Sequence, residues 1–387
     1  MAAFSRIRAS SLFSVFAGLF LLCGWTLAEA GSPIPSPPSV DAGSYVLMDY
    51  RTGRTLAEKD ADRELDPASI TKVMTAYVVF DALADGTISL EDQVTVSERA
   101  WRMAGSRMFI EVGRQVAVED LLQGMIIQSG NDASVALAEH VAGSEEAFVD
   151  LMNQYADRLG LDSTRYQNAT GMPVEDHYTT ARDIAVLARA LVEDFPEYYH
   201  WYSERHFTYN GIRQDNRNLL LWRDDSVDGI KTGHTSSAGY CLLTSAKRDD
   251  MRLISVVMDS SDERSRADAS QSLLNYGFRF FETHRLYETD ETLSEERLWG
   301  GEIDKLRVGL KEDLYVTVPR GQYRELEPVM NLPEQLEAPI QAGDELGTVK
   351  VSLNGEVLAE APLYALEDGP RGALWKRLVD RVRLFFQ

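Results

Sequence analysis

From Val73 to Phe80 the sequence reads Val-Met-Thr-Ala-Tyr-Val-Val-Phe, and a helix of that composition is apolar on nearly every side. Such a helix has to run through the middle of a domain, with other elements packed around it. Immediately upstream stand Asp66-Pro67-Ala68-Ser69-Ile70-Thr71-Lys72. Asp66 suits an N-cap, and Pro67 suits the first helical position, where its missing N–H costs nothing. Ser69 then falls in the first turn and Lys72, three residues on, shares its face. Burial without a partner lowers the pKa of a lysine and lets it act as a neutral base beside a hydroxyl. The positive end of the helix dipole favours negative charge developing on the serine oxygen. The two side chains are therefore a candidate nucleophile and base. By itself, however, Ser-x-x-Lys equally describes two exposed residues on an ordinary helix.

The whole chain, at 387 residues, is long enough for two domains with real cores. Arg6 and Arg8, an apolar run over residues 12–22 and the small residues of Ala28-Glu29-Ala30 predict an export signal over residues 1–30. A lipoprotein signal at Cys23 is the competing reading, but Leu22 is too large for the residue before a lipidated cysteine. Residues 31–40, rich in Pro and Ser, read as a linker. Cleavage leaves Cys241 as the only cysteine, inside an apolar run that suits a buried thiol. A formal charge of −22 makes nucleic acid an unsuitable partner.

Residues 44–49, 51–54 and 55–58 read as strand, turn and strand leading into the Ser69 helix. Helical spacing returns over 118–127 and again over about 133–141, with Ser129-Gly130-Asn131 between them. That triplet is either an ordinary helix stop and cap or two polar side chains aimed at a shared cleft. Thr179-Thr180-Ala181-Arg182-Asp183 opens a further helix through Ile184 to Leu191, with a threonine cap. Residues 227–235, whose glycines leave room for a ligand to approach the backbone, then 239–246 and 252–258 form a β-meander, followed by a helix over about 264–281. From residue 283 short strand-like runs alternate with turns such as Asn354-Gly355, predicting a second, all-β domain over 283–369. Residues 370–387 read as an amphipathic helix. Leu374, Trp375, Leu378, Val379, Val382, Phe385 and Phe386 lie on one side, with Lys376, Arg377, Arg381 and Arg383 mostly on the other. It is too short to span a bilayer and suits an interfacial anchor on anionic lipid, the alternative being a helix docked on the protein's own body.

Three clusters stand in chain order: Ser69-x-x-Lys72, Ser129-Gly130-Asn131 and Lys231-Thr232-Gly233. With Pro67-Ala68-Ser69-Ile70-Thr71-Lys72, Asn216-Arg217-Asn218 and Asp228-Gly229-Ile230-Lys231-Thr232-Gly233-His234-Thr235, the chain resembles the low-molecular-mass penicillin-binding proteins. Specifically, it resembles the membrane-anchored D-alanyl-D-alanine carboxypeptidases of serine peptidase family S11. The resemblance implies an α/β (α+β) catalytic domain of the serine β-lactamase/DD-peptidase type over residues 41–282, a central antiparallel sheet flanked by helices. It further implies a serine acyl-transfer enzyme, located on the periplasmic face of the inner membrane, that acts on peptidoglycan stem peptides ending in D-Ala-D-Ala. β-Lactams would be covalent inhibitors, and no metal or organic cofactor would be needed.

By the same resemblance Ser69 attacks the carbonyl between the two D-alanines and Lys72 takes its proton. Ser129 and Lys231 carry a proton to the leaving amine, and Asn131 orients the peptide. The backbone N–H groups of Ser69 and His234 make the oxyanion hole. Thr232 beside Gly233, with Arg217 and Arg266, receives the terminal carboxylate. The candidate for Arg266 rests only on its spacing after the strand, the alternative being an exposed helix arginine. A β-lactamase, an endopeptidase or transpeptidase, and a non-enzymatic wall-binding protein are the competing readings. The first usually carries Ser-Asp-Asn where this chain has Ser129-Gly130-Asn131.

Overall fold

The computed structural model describes residues 34–385; the expected export signal over residues 1–30 lies outside them. A five-stranded antiparallel sheet runs in the order Thr55–Lys59, Ser44–Asp49, Met251–Ser260, Gly239–Arg248, Val227–Thr235. Its register pairs Val46 with Val256 and Thr232 with Leu242. The strand Ser44–Asp49 is buried along its whole length, because both faces of the sheet are covered. Val46 and Met48 face a helical lobe that contains Val73, Phe80 and Leu121. Tyr45 and Leu47 face the opposite way, onto Leu273, Leu274 and Phe278 of the helix Glu263–Phe280. This is the expected sheet flanked by helices.

The helix Lys72–Ala84 passes through the lobe with Val73 to Phe80 all buried. Its start differs from the sequence expectation. Ser69 sits in a 3-10 turn, Ala68–Thr71, and the α-helix begins only at Lys72. Pro67 occupies the cap position without a side-chain hydrogen bond, and Asp66 caps nothing. Ala68 adopts φ +47°, a left-handed conformation that costs an L-residue energy and that a regular first turn would forbid. Gly171 is the reason it can be held there. A Cβ on Gly171 would lie 1.7 Å from the Ala68 carbonyl oxygen, so only glycine lets that loop close on the serine turn.

The helices Val118–Ile127 and Asn131–Ala142 flank the Ser-Gly-Asn triplet, the second starting two residues earlier than its apolar spacing indicates. Thr180 caps the helix Ala181–Asp194 by accepting from the Asp183 N–H, as expected.

Beyond the helix Glu263–Phe280 the chain is β-structure. A ribbon pairs Phe281–Tyr287 with Leu314–Pro319, and a six-stranded sheet closes over Leu298, Leu306, Val308, Val349 and Leu363. Asn354 and Gly355, both at positive φ, make the expected tight turn. The ribbon is tied to the first sheet: Thr283 Oγ1 donates to Asp49 Oδ2 at 2.6 Å and Arg54 to the Thr317 carbonyl at 2.6 Å.

The helix Leu374–Phe385 rests on this β-domain by its polar side. Buried Asp380 accepts from the Gly300 N–H at 3.1 Å and Arg297 at 3.3 Å, and Lys376 donates to the Glu302 carbonyl. Leu374 and Trp375 are left 78% and 74% exposed, and Leu378 and Val382 are exposed beside them. Among the described residues no helix is long and apolar enough to cross a membrane.

Candidate active site

Three separate pieces of chain meet beside the edge strand Val227–Thr235. The serine turn comes from the hairpin, the Ser-Gly-Asn triplet from between two helices, and a loop over residues 168–172 from further along. They enclose a cleft of ≈ 640 Å³. Of the sequence-derived residues, Ser69, Ser129, Asn131, Arg217, Thr232, Gly233, His234 and Arg266 line it. Lys72 and Lys231 are buried beneath it, at 1% and 3% exposure.

The Lys72 Nζ lies 3.1 Å from Ser69 Oγ, 2.7 Å from Asn131 Oδ1 and 2.6 Å from the Thr170 carbonyl oxygen. The last two can only accept, so they take two N–H bonds. In a neutral amine the remaining position is a lone pair, and it faces the serine hydroxyl. No carboxylate pairs with Lys72 among the described residues. Burial, with the Arg217 charge adding to it, pulls its pKa from 10.5 down to about 7. Lys231, with Nζ 3.3 Å from the Thr232 carbonyl, is likewise pushed well below the usual lysine range, first by burial and then by the charges of Lys72, Arg217 and Arg266.

Ser129 is held at φ +67°, and its buried hydroxyl has no hydrogen-bond partner among the described residues. An orphaned buried hydroxyl on a cleft wall is a group waiting for a ligand atom. Asn131 is fixed from both ends, its Oδ1 by Lys72 and its Nδ2 by the Ala104 carbonyl at 2.7 Å. Its neighbour Asp132 gathers the N–H groups of Met108, Phe109 and Ile110, which folds that loop over the cleft.

In the Asn-Arg-Asn segment the two asparagines are buried and locked. Asn216 donates to the Glu204 carbonyl and Asn218 to the Gly229 carbonyl. Arg217 between them is thrown outward, with Nη2 on Ser106 Oγ at 2.7 Å. The exposed-arginine alternative for Arg266 is overturned: that side chain is buried and donates to the carbonyls of Gly233 at 3.1 Å and Cys241 at 3.4 Å, and to Glu263. It thus braces the edge strand as well as adding positive charge. Gly233 permits close packing, since a Cβ there would come within 3.2 Å of Ala68 Cβ and the Pro67 carbonyl oxygen. The His234 ring is exposed and lies 4.0 Å from that of Tyr240.

Sequence reasoning missed the loop that supplies the Thr170 carbonyl. Asn168 Oδ1 accepts from the N–H groups of Thr170, Gly171 and Met172, an asparagine-built turn whose only signal in the sequence is Asn-x-Thr-Gly. It also missed His177. The Gln167 N–H donates to His177 Nδ1, so the ring is neutral with its proton on Nε2, which bonds Thr71 Oγ1 at 2.9 Å; burial brings its pKa down to about 4. His177 therefore clamps the Ser69-to-Lys72 segment to the same loop.

With Arg217 and Arg266 against one acidic lining residue, Glu263, the cleft is a cationic spot on an acidic protein, and it suits a small anion beside an activated hydroxyl.

Residues 32–262 match the family described as D-alanyl-D-alanine carboxypeptidase, and residues 281–371 match the penicillin-binding protein 5 C-terminal domain. The D-alanyl-D-alanine carboxypeptidase DacC of Escherichia coli (strain K12) is 45% identical over 390 residues, spanning 99% of this chain and 96% of that protein. Penicillin-binding protein 5 of Haemophilus influenzae superposes with a TM-score of 0.84 at 41% identity, over 87% of this chain and all of that one. Penicillin-binding protein D2 of Listeria monocytogenes, solved in an ampicillin-bound form, covers 63% of this chain and 100% of its own at 28% identity and a TM-score of 0.59.

Proposed function

The chain belongs to the D-alanyl-D-alanine carboxypeptidase family and is a serine-type hydrolase of that activity, and from this premise we propose the roles of its residues. The observation that carries the assignment is a buried Lys72 amine, without a carboxylate at ion-pair distance among the described residues, 3.1 Å from Ser69 Oγ. Neutral Lys72 takes the Ser69 proton as Oγ attacks the carbonyl carbon of the penultimate D-alanine of a peptidoglycan stem peptide. The tetrahedral oxyanion is received by the backbone N–H groups of Ser69 and His234. The proton passes through Ser129 and Lys231 to the nitrogen of the terminal D-alanine, the C–N bond breaks, and D-alanine leaves. Water then attacks the Ser69 ester with Lys72 again accepting the proton, which releases the shortened peptide. β-Lactams enter by the same attack and remain on Ser69, in line with the ampicillin-bound form of the Listeria relative.

Arg217 and the Thr232 hydroxyl bind the carboxylate of the departing D-alanine, with Arg266 holding Gly233 and its strand in place. A charge-assisted bond of this kind is worth about 1.5–3 kcal/mol, so Arg217→Gln is expected to lower kcat/KM for a free-acid pentapeptide about 10–100-fold. Against the same peptide with a C-terminal amide, which the wild type already cleaves poorly, the variant should differ little. An equal fall on both substrates would contradict the assignment.

We propose further that residues 1–30 direct export and that the protein sits peripherally on the outer face of the cytoplasmic membrane through the helix Leu374–Phe385. The outward-facing Leu374, Trp375, Leu378 and Val382 support this reading. Deleting residues 371–387 should move the protein from the membrane to the soluble fraction while D-alanine release from a soluble peptide continues. Unchanged sedimentation would contradict the anchor.

A further inference from the structure

A second cleft, of ≈ 750 Å³, opens where the C-terminal helix leans against the β-domain. Three arginines face it: Arg371 ahead of the helix, and Arg377 and Arg381 on consecutive turns. Their surroundings differ from those of neighbouring cations. Lys376 is paired with Asp304 at 2.8 Å, and Arg297 and Arg383 lie 3.3 and 4.0 Å from Asp380. Arg371, Arg377 and Arg381 have no carboxylate within ion-pair distance among the described residues. Among the described residues the Nε of Arg377 is buried and has no hydrogen-bond partner, and no side chain holds the rest of its guanidinium, which lines the cleft and is left for an outside acceptor. The acidic residues at the cleft do not supply one: Asp380 is occupied by Arg297 and the Gly300 N–H, and Glu337 is exposed. Leu374 and Leu378 form an exposed apolar lip on the same cleft, continuous with Trp375 and Val382 on the outer side of the helix.

Cationic forks beneath an apolar lip fit an amphiphile with an anionic phosphodiester head. We propose that this cleft binds the phosphate of an anionic phospholipid headgroup, whose acyl chains pass over Leu374 and Leu378. The proposal rests on the membrane reading given above and adds to it a defined lipid site. Arg377 is the central ligand and, with Arg371 and Arg381, bonds the phosphate through the guanidinium N–H groups that line the cleft. The helix is thereby fixed on the membrane in one rotational setting, with its polar side still on the β-domain.

The test uses the full chain and three soluble probes: monomeric dihexanoyl phosphatidylglycerol, dihexanoyl phosphatidylcholine at the same concentration, and inorganic phosphate. Calorimetry should show saturable binding of phosphatidylglycerol and at least about tenfold weaker binding of the other two, because the choline cation is repelled by the three arginines and inorganic phosphate has no acyl chains to lie on Leu374 and Leu378. Arg377→Gln should lose most of the phosphatidylglycerol binding, Arg383→Gln should keep it, and both should release D-alanine from a soluble peptide like the wild type. Equal binding of the two lipids, an equal loss in both variants, or phosphate binding as tightly as the lipid would each overturn the proposal. Sedimentation with phosphatidylglycerol vesicles separates this from the anchor itself. Arg377→Gln should still sediment through its apolar side, whereas a wild type that stayed in the supernatant would remove the membrane reading and this site with it.

Discussion

Ser69→Ala is expected to release D-alanine from a pentapeptide at least about 10⁴-fold more slowly than the wild type, the scale on which loss of a nucleophile falls when its partners remain. The fold should survive the change. Ser69 lies in a short turn held by Pro67, Ala68 and the Gly171 loop, and among the described residues its hydroxyl bonds only Lys72. Thermal unfolding should therefore match the wild type, and peptide should still bind. Equal release by the variant would mean that the nucleophile is elsewhere.

Lys72→Met should lower acylation by about 10²–10⁴-fold, the usual contribution of a positioned general base. In the wild type the pH dependence follows from the direction of the Lys72 shift. The amine is neutral above about 7, so kcat/KM should fall as pH drops below that value, about tenfold per unit, and the variant should lose this limb. Stability carries the same signature. Lys72 has a folded pKa below its unfolded value of 10.5, so between about 7 and 10.5 the unfolded chain holds a proton that the native chain lacks, and native stability rises with pH. At about 1.4 kcal/mol per unit, the full penalty below pH 7 is on the order of 5 kcal/mol. The difference in stability between Lys72→Met and the wild type should therefore shift in favour of the wild type as pH rises through that window. A pH-independent difference would place the lysine charge elsewhere.

Much of this was legible in the sequence because it is local. Seven apolar residues among the eight from Val73 to Phe80, just after a helix-start signal, indicate a buried helix, the Asn354-Gly355 turn needs two positive φ angles, and Ser69 and Lys72 are separated by one turn in either kind of helix. The meander from Val227 to Ser260 followed the same rule, since two covered faces require long apolar strands.

What escaped is non-local. Asp66 and Pro67 have the chemistry of a helix start, but Ala68, against which Gly171 packs from about a hundred residues away, lies in the left-handed region and the α-helix begins only at Lys72. The Thr170 carbonyl that takes one of the Lys72 N–H bonds belongs to the same approach, and no spacing rule connects the two. Spacing alone left Arg266 between a carboxylate receptor and an exposed helix arginine, because nothing local shows that its turn faces the carbonyls of Gly233 and Cys241. In the C-terminal helix the amphipathic pattern was plain, but which side would meet the protein depended on Asp380 finding the Gly300 N–H in a different element.

The most direct test of the acyl-enzyme account is peptide mapping by mass spectrometry after brief exposure to a β-lactam, in parallel with trapping on a D-Ala-D-Ala peptide at low pH. The account predicts a single adduct on the peptide containing Ser69 with both reagents, and none in Ser69→Ala. An adduct on Ser129 or any other residue, or substrate turnover by Ser69→Ala at the wild-type rate, would contradict it.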